Sequence, residues 1–143
     1  MSEPDRHDLQ RFLAAQAGDY ECALGELQRG RKESHWIWYV FPQVAGLGYS
    51  HMAQKYAIQS REEAVAYLKH PVLGARLRQC CAALLKHRGN RVEDIMGSPD
   101  DLKLRSSMTL FAAVSESDSI FREVLEAFYS GELDGRMVGF LES

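Results

Sequence analysis

Among the polar side chains that interrupt an apolar stretch of this 143-residue chain between Leu102 and Val114 are Arg105, Ser106 and Thr109. At about 100° per residue they share one sector of a helix, and Lys103 lies at its edge beside Ser106. The rest of the circumference carries Leu104, Met108, Leu110, Phe111 and Ala112, and a helix apolar almost all round is a buried one. Buried polar groups need partners, and a buried cation needs an anion. Two readings follow. Either Arg105 pairs with an internal carboxylate while Ser106 and Thr109 bond back to carbonyls one turn earlier, or the sector lines a pocket for an anionic or hydroxyl-rich ligand.

A second concentration of chemistry runs from Arg31 to Gln43. Trp36, Trp38, Tyr39 and Phe41 place four aromatic rings within six residues, behind the basic pair Arg31 and Lys32. Such rings are either core or flat faces on which a base or nicotinamide can stack. His35 adds an imidazole, the side chain best suited to proton transfer. Just beyond, Gly46 and Gly48 allow a turn that aims backbone amides at an anion, and Lys55 faces that turn if a helix begins at Ser50. This is no dinucleotide fingerprint, because His51 replaces the third glycine and no βαβ unit surrounds it. A plain tight loop remains the competing reading.

The negative findings narrow the chemistry. No HExxH or spaced Cys/His set indicates a metal, and neither a GxSxG elbow nor a P-loop is present. No cofactor motif is found. Cys22 stands apart from the adjacent Cys80 and Cys81, which reads as reduced thiols. Seventeen basic against 20 acidic residues leave a net charge of −3, which gives no electrostatic case for a nucleic-acid duplex or an anionic membrane. The longest apolar run, Trp36 to Pro42, is far short of a membrane span. The N-terminus is polar, without the apolar core of a signal peptide. The expectation is a cytoplasmic protein, monomer or homodimer.

These side chains must be held by helices. Apolar residues are 45% and charged residues 26%, ordinary globular values, and the length suits one domain. The expected architecture is all-α: a compact single-domain bundle of about seven to eight helices with at most one short strand. Residues 1–7 are expected as a flexible N-terminus and 8–143 as the domain. Asp8 is positioned to cap a short first helix and Asp19 to open a second that stops at Gly30. The β-branched and aromatic stretch from Ile37 to Phe41 is the one strand candidate. Ser60 with Glu63 forms a capping box, ahead of a helix that breaks at His70 and Pro71. A longer helix from Pro71 to about Lys86 follows, then a short one from Asn90 to Gly97. Ser98, Pro99, Asp100 and Asp101 combine a cap, an N1 proline and first-turn acids. The last helices are expected from about Asp118 to Tyr129 and from Asp134 to Leu141.

The segments Asp8–Phe12, Gly30–Lys32, Ser34–Trp36, Phe41–Gln43, Gly46–Gly48, Tyr56–Ile58, His70–Gly74 with Arg76 and Leu77, and Ser98–Phe111 together resemble the small bacterial domain-of-unknown-function 1810 family. The likeness spans roughly residues 8–141 and implies an all-helical fold. The calpastatin-like label attached to that family implies an inhibitor of disordered repeats, which a compact, densely capped chain is not. A second similarity, to the NADAR superfamily, rests on Phe41 and Pro42, then Lys55 and Tyr56, then Lys103, Leu104 and Met108. It implies N-glycoside or ADP-ribose chemistry. Those proteins carry a glutamate three residues after the proline, where this chain has Ala45. Glycosidic cleavage calls for a carboxylate, so Glu33, Asp100 or Asp101 would have to substitute.

The resulting expectation is a domain that binds an ADP-ribose- or nucleotide-like ligand, with hydrolysis of an N-glycosidic bond as its further activity. Trp36 or Trp38 would stack the ring, Arg31, Lys32, Lys55 and Arg105 would meet phosphates, and Lys103 would also bind the ligand. Gln43, Ser106 and Thr109 would bond sugar hydroxyls, the Gly46 and Gly48 turn would offer amides, and His35 and Asp101 are the catalytic candidates. The alternative is a non-enzymatic protein-interaction module in which these side chains are core and surface.

Overall fold

The computed structural model describes residues 5–137. Eight α-helices follow one another: α1 (Gln10–Arg29), α2 (Ile37–Val40), α3 (His51–Lys55), α4 (Arg61–Lys69), α5 (Leu73–Leu85), α6 (Val92–Met96), α7 (Asp100–Ala113) and α8 (Ile120–Tyr129). A 3-10 turn at Gly135–Met137 comes last. Among the described residues there is no strand; isolated bridges join Val44 to Ile58 and Arg88 to Asn90.

α7 is central. Leu104, Met108, Leu110 and Phe111 are fully buried, as a helix apolar all round requires. Around it a row of aromatic rings ties four helices together. Phe12 of α1 meets Tyr67 of α4 edge-on at 5.1 Å, Tyr67 meets Phe111 of α7 at 5.4 Å, and Phe111 meets Phe121 of α8 at 5.8 Å. Such offset and edge contacts are the arrangement the ring quadrupoles favour.

The helix starts differ from expectation in instructive ways. α1 is one helix of 20 residues, not two. Its buried stripe of Phe12, Gln16, Tyr20, Ala23 and Leu27 runs unbroken through Gly18 and Asp19, because tertiary burial outweighs the ~1 kcal/mol propensity cost of a mid-helix glycine. Asp19 caps nothing; its carboxylate accepts a bond from the Tyr39 hydroxyl. Nor does Asp8 cap α1. The Asp5 carboxylate accepts from the amides of Leu9 and Gln10 at 2.7 and 2.9 Å, so the expected flexible N-terminus contributes to the fold from Asp5 onward. Residues 1–4 of that stretch lie outside the described residues.

The strand candidate Ile37–Phe41 forms α2 instead, since no neighbouring strand exists to satisfy its backbone. Ser60 does cap α4, accepting from the Glu63 amide at 3.1 Å, while Glu63 accepts from the Gln59 amide at 2.9 Å. α8 begins one residue after Ser119, whose hydroxyl accepts from the Arg122 amide at 3.4 Å. At α7 the cap position falls on Pro99 rather than Ser98, after a cis peptide bond, and no side chain caps it. The helix expected from Asp134 to Leu141 is a 3-10 turn up to Met137; the remainder lies outside the described residues.

Candidate ligand cleft beside Trp38

The aromatic segment is positioned by one buried carboxylate. Glu26, 2% exposed on α1, accepts from the amides of Glu33 (2.7 Å) and Ser34 (2.9 Å), the Ser34 hydroxyl (2.6 Å) and the Trp36 indole (2.9 Å), with the Cys22 thiol at 3.1 Å. Burial by itself would raise its pKa, but the Ser34 hydroxyl and the two amides hold it well below the usual carboxylate range. Trp36 thereby becomes core, 1% exposed. α2 then buries Ile37, Tyr39 and Val40 and turns Trp38 outward, half-buried.

Trp38 faces a cleft of about 280 Å³. Its walls are Gln43, Leu47, Gly48 and Tyr49 from the loop after α2, Pro99, Leu102 and Lys103 from the start of α7, and Arg136. The Lys103 ammonium lies 5.3 Å from the Trp38 ring centroid, within cation–π range. It also sits 3.2 Å from one oxygen of Asp100, whose other oxygen is 2.8 Å from Lys32. One carboxylate between two ammonium groups leaves a net positive charge beside the ring.

Arg136 is clamped by Asp134, through Nε at 3.1 Å and Nη2 at 2.8 Å. Burial raises the Asp134 pKa, but Arg136 and the Ser106 hydroxyl outweigh it and hold the group at about 2. Ser106 donates to Asp134 and lies 3.2 Å from the Leu102 carbonyl. Thr109 donates to the Arg105 carbonyl at 2.8 Å and accepts from the Asp134 amide at 2.9 Å. Thr109 thus makes the backbone bond of the structural reading, Ser106 donates its one proton to Asp134 instead, and both hydroxyls fasten the chain around Asp134 to α7.

Of the residues singled out by sequence, the cleft brings together Trp38, Gln43, Gly48 and Lys103, with Lys32 one carboxylate away. The others lie elsewhere. Arg31, His35 and Gly46 are exposed off the cleft. Lys55 borders a separate depression with Arg6, His7 and Glu63. Among the described residues Arg105 reaches only Glu132, at 4.0 Å, and its Nε is buried without a partner there. Asp101 is buried with its Oδ1 unpartnered, its carbonyl accepting from the Tyr129 hydroxyl. Glu33 is exposed, its amide bound to Glu26. Sequence reasoning missed Tyr49, Leu102 and Arg136. Tyr49 had a local signal, an aromatic ring in a glycine-bounded loop; Arg136 had none, being distant along the chain.

A larger groove of about 500 Å³ opens between α4, α5, the end of α7 and the start of α8. It contains none of the candidate residues, and Lys69 and Arg78 are balanced there by Glu116 and Asp118. Its aromatic ring, Phe121, is 1% exposed and offers no stacking face. The smaller cleft is therefore the better candidate. Among the described residues no group of three or more His, Cys, Asp or Glu could hold a metal ion. No helix there is long and apolar enough to cross a membrane.

Comparisons with known proteins agree on the fold and are silent on the ligand. The family model described as "Protein of unknown function (DUF1810)" matches residues 6–141. The crystal structure of the conserved hypothetical protein Rv1873 from Mycobacterium tuberculosis superposes with a TM-score of 0.94 at 47% identity, covering 97% of this chain and 99% of that one. No curated protein matches the chain.

Proposed function

We propose, since this chain belongs to the DUF1810 family and that description assigns no activity, that it is a binding domain for a small nucleotide-like anion. The ligand's ring would lie against Trp38 and its charge beside Lys103. The observation that carries this is the charge of the cleft: its charged walls are Lys103 and Arg136, Asp134 neutralises Arg136, and Asp100 is shared by Lys103 and Lys32, so one positive charge stands in excess beside the ring in a chain of net charge −3. An aromatic face, a few convergent polar groups and concavity are the ordinary ingredients of a small-molecule site.

The reading favours binding over hydrolysis. Asp100 is the nearest candidate acid, and its oxygens are occupied by Lys32 and Lys103. Neither His35 nor Asp101 borders the cleft. The free thiols, two of them buried, support a reducing, cytoplasmic setting.

A thermal-shift screen with AMP, NAD and ADP-ribose tests it. A ligand at about 100 times its dissociation constant should stabilise the fold by about 2.7 kcal/mol. Lys103→Gln should weaken that effect while leaving the fold intact, since its partner Asp100 keeps Lys32. No shift with any of these compounds would instead favour the interaction-module reading.

A further inference from the structure

Tyr49 is 86% exposed, the most exposed of the large apolar side chains among the described residues, and it lines the same cleft as Trp38. Its loop is held where it enters α3. Ser50 caps α3 by accepting from the Ala53 amide at 3.1 Å, and Gln54 Nε2 donates to the Tyr49 carbonyl at 2.7 Å. Gly48 is required there, because a Cβ at that position would stand 2.7 Å from the Ala53 methyl. The backbone of Tyr49 is thus fixed while its ring is left in water. No hydrogen bond engages its hydroxyl among the described residues, so no hydrogen bond among those residues fixes the ring's position.

Trp38 is the deeper of the two rings, with Lys103 at its face. Gln43 lines the cleft with a side-chain amide that makes no hydrogen bond among the described residues. The space itself, about 280 Å³, lies just below the ~300–1,000 Å³ typical of ligand pockets. It suits one ring, one sugar and one phosphate better than a dinucleotide. Resting on the binding reading above, we infer that Tyr49 and Trp38 form an aromatic clamp for the base of a nucleoside monophosphate. Gln43 meets the polar edge of the base or sugar, and Lys103 meets the phosphate. Tyr49 is then a binding residue that supplies affinity without choosing among bases: its ring offers a stacking face that any base can use.

The experiment is calorimetric titration of the full chain with AMP, adenosine, inorganic phosphate and ADP-ribose. AMP should bind more tightly than each of the other three. Tyr49→Ala should melt like the parent, because its ring is exposed, yet lose about tenfold or more in AMP affinity, the order expected for one base–aromatic stack. Tyr49→Phe should retain parental affinity. Equal AMP affinity in Tyr49→Ala and the parent would overturn the clamp while leaving the cleft reading in place. An equal loss in Tyr49→Phe and Tyr49→Ala would replace stacking by a hydroxyl contact and also overturn it. Tighter binding of ADP-ribose than of AMP would overturn the monophosphate class. A parent that binds none of the four would overturn the binding reading itself, and the clamp with it.

Discussion

Arg105 and Glu26 are both charged residues drawn toward the interior, and they reach opposite outcomes. Glu26 is enclosed by donors from a loop seven to ten residues further along the chain, so its charge is stabilised and fixes the path into α2. Among the described residues Arg105 has only Glu132, 4.0 Å away and itself 76% exposed, and buries an Nε without a partner there. A weak, solvated pair of this kind contributes about 0–1 kcal/mol. Arg105→Leu should therefore shift stability by less than about 1 kcal/mol in a denaturant titration, and should leave AMP affinity unchanged, because Arg105 does not border the cleft. A loss of about 3–5 kcal/mol would reveal a tightly held internal carboxylate after all.

At the scale of elements, the approach of α5 to α4 depends on a missing side chain. A Cβ on Gly74 would stand 2.2 Å from the Leu68 carbonyl oxygen, which is backbone and cannot rotate away. The turn at His70 and Pro71 leaves little slack, since the His70 imidazole Nδ1 already accepts from the amides of Val72 and Leu73 at 3.1 and 3.2 Å. Gly74→Ala should thus destabilise by about 3 kcal/mol, the upper end of ordinary overpacking costs, measurable as a lower denaturant midpoint. Replacement at Gly18, where an added Cβ meets nothing within 4 Å, is the matching control. Gly18→Ala should stabilise by up to about 1 kcal/mol through helix propensity.

For the whole molecule, two of the buried carboxylates, Glu26 and Asp134, shape the response to acid. Glu26 ordinarily titrates at 4.5 and Asp134 at 3.8; in the folded chain Glu26 is held far lower and Asp134 at about 2. A depressed folded pKa means that the unfolded chain binds more protons, so stability rises with pH through this window. Their contribution should be complete above pH 4.5 and fade as pH falls through the acid range, Asp134's being lost as pH approaches about 2. Denaturant titrations from pH 7 downward should show that slope. Glu26→Gln should be less stable at neutral pH, because its donors lose a charged acceptor, and its acid slope should be shallower than the parent's. An unchanged slope would contradict the assignment.

What could be determined along the chain was determined by local chemistry. The Ser60–Glu63 cap, the stop at Gly30 in a left-handed conformation, and the apolar circumference of α7 each depend on residues within a few positions of one another. Helical periodicity and capping are therefore visible without neighbours. The back-bond of Thr109 belongs to the same class. Where a distant partner decides, the local pattern misled or said nothing. Asp19 has the type of a cap, yet the Tyr39 hydroxyl claims it. Ile37–Phe41 has the composition of a strand, yet no strand pairs with it, and Glu26 forces the turn that precedes α2. Trp36 and Trp38 are alike in sequence. Only the tertiary structure sends one into the core and the other to a cleft, because a buried indole needs an acceptor and Glu26 can serve only the first. The cleft joins residues 38, 49, 103 and 136, and no spacing rule connects those positions; packing of α2 and its loop against the start of α7 does.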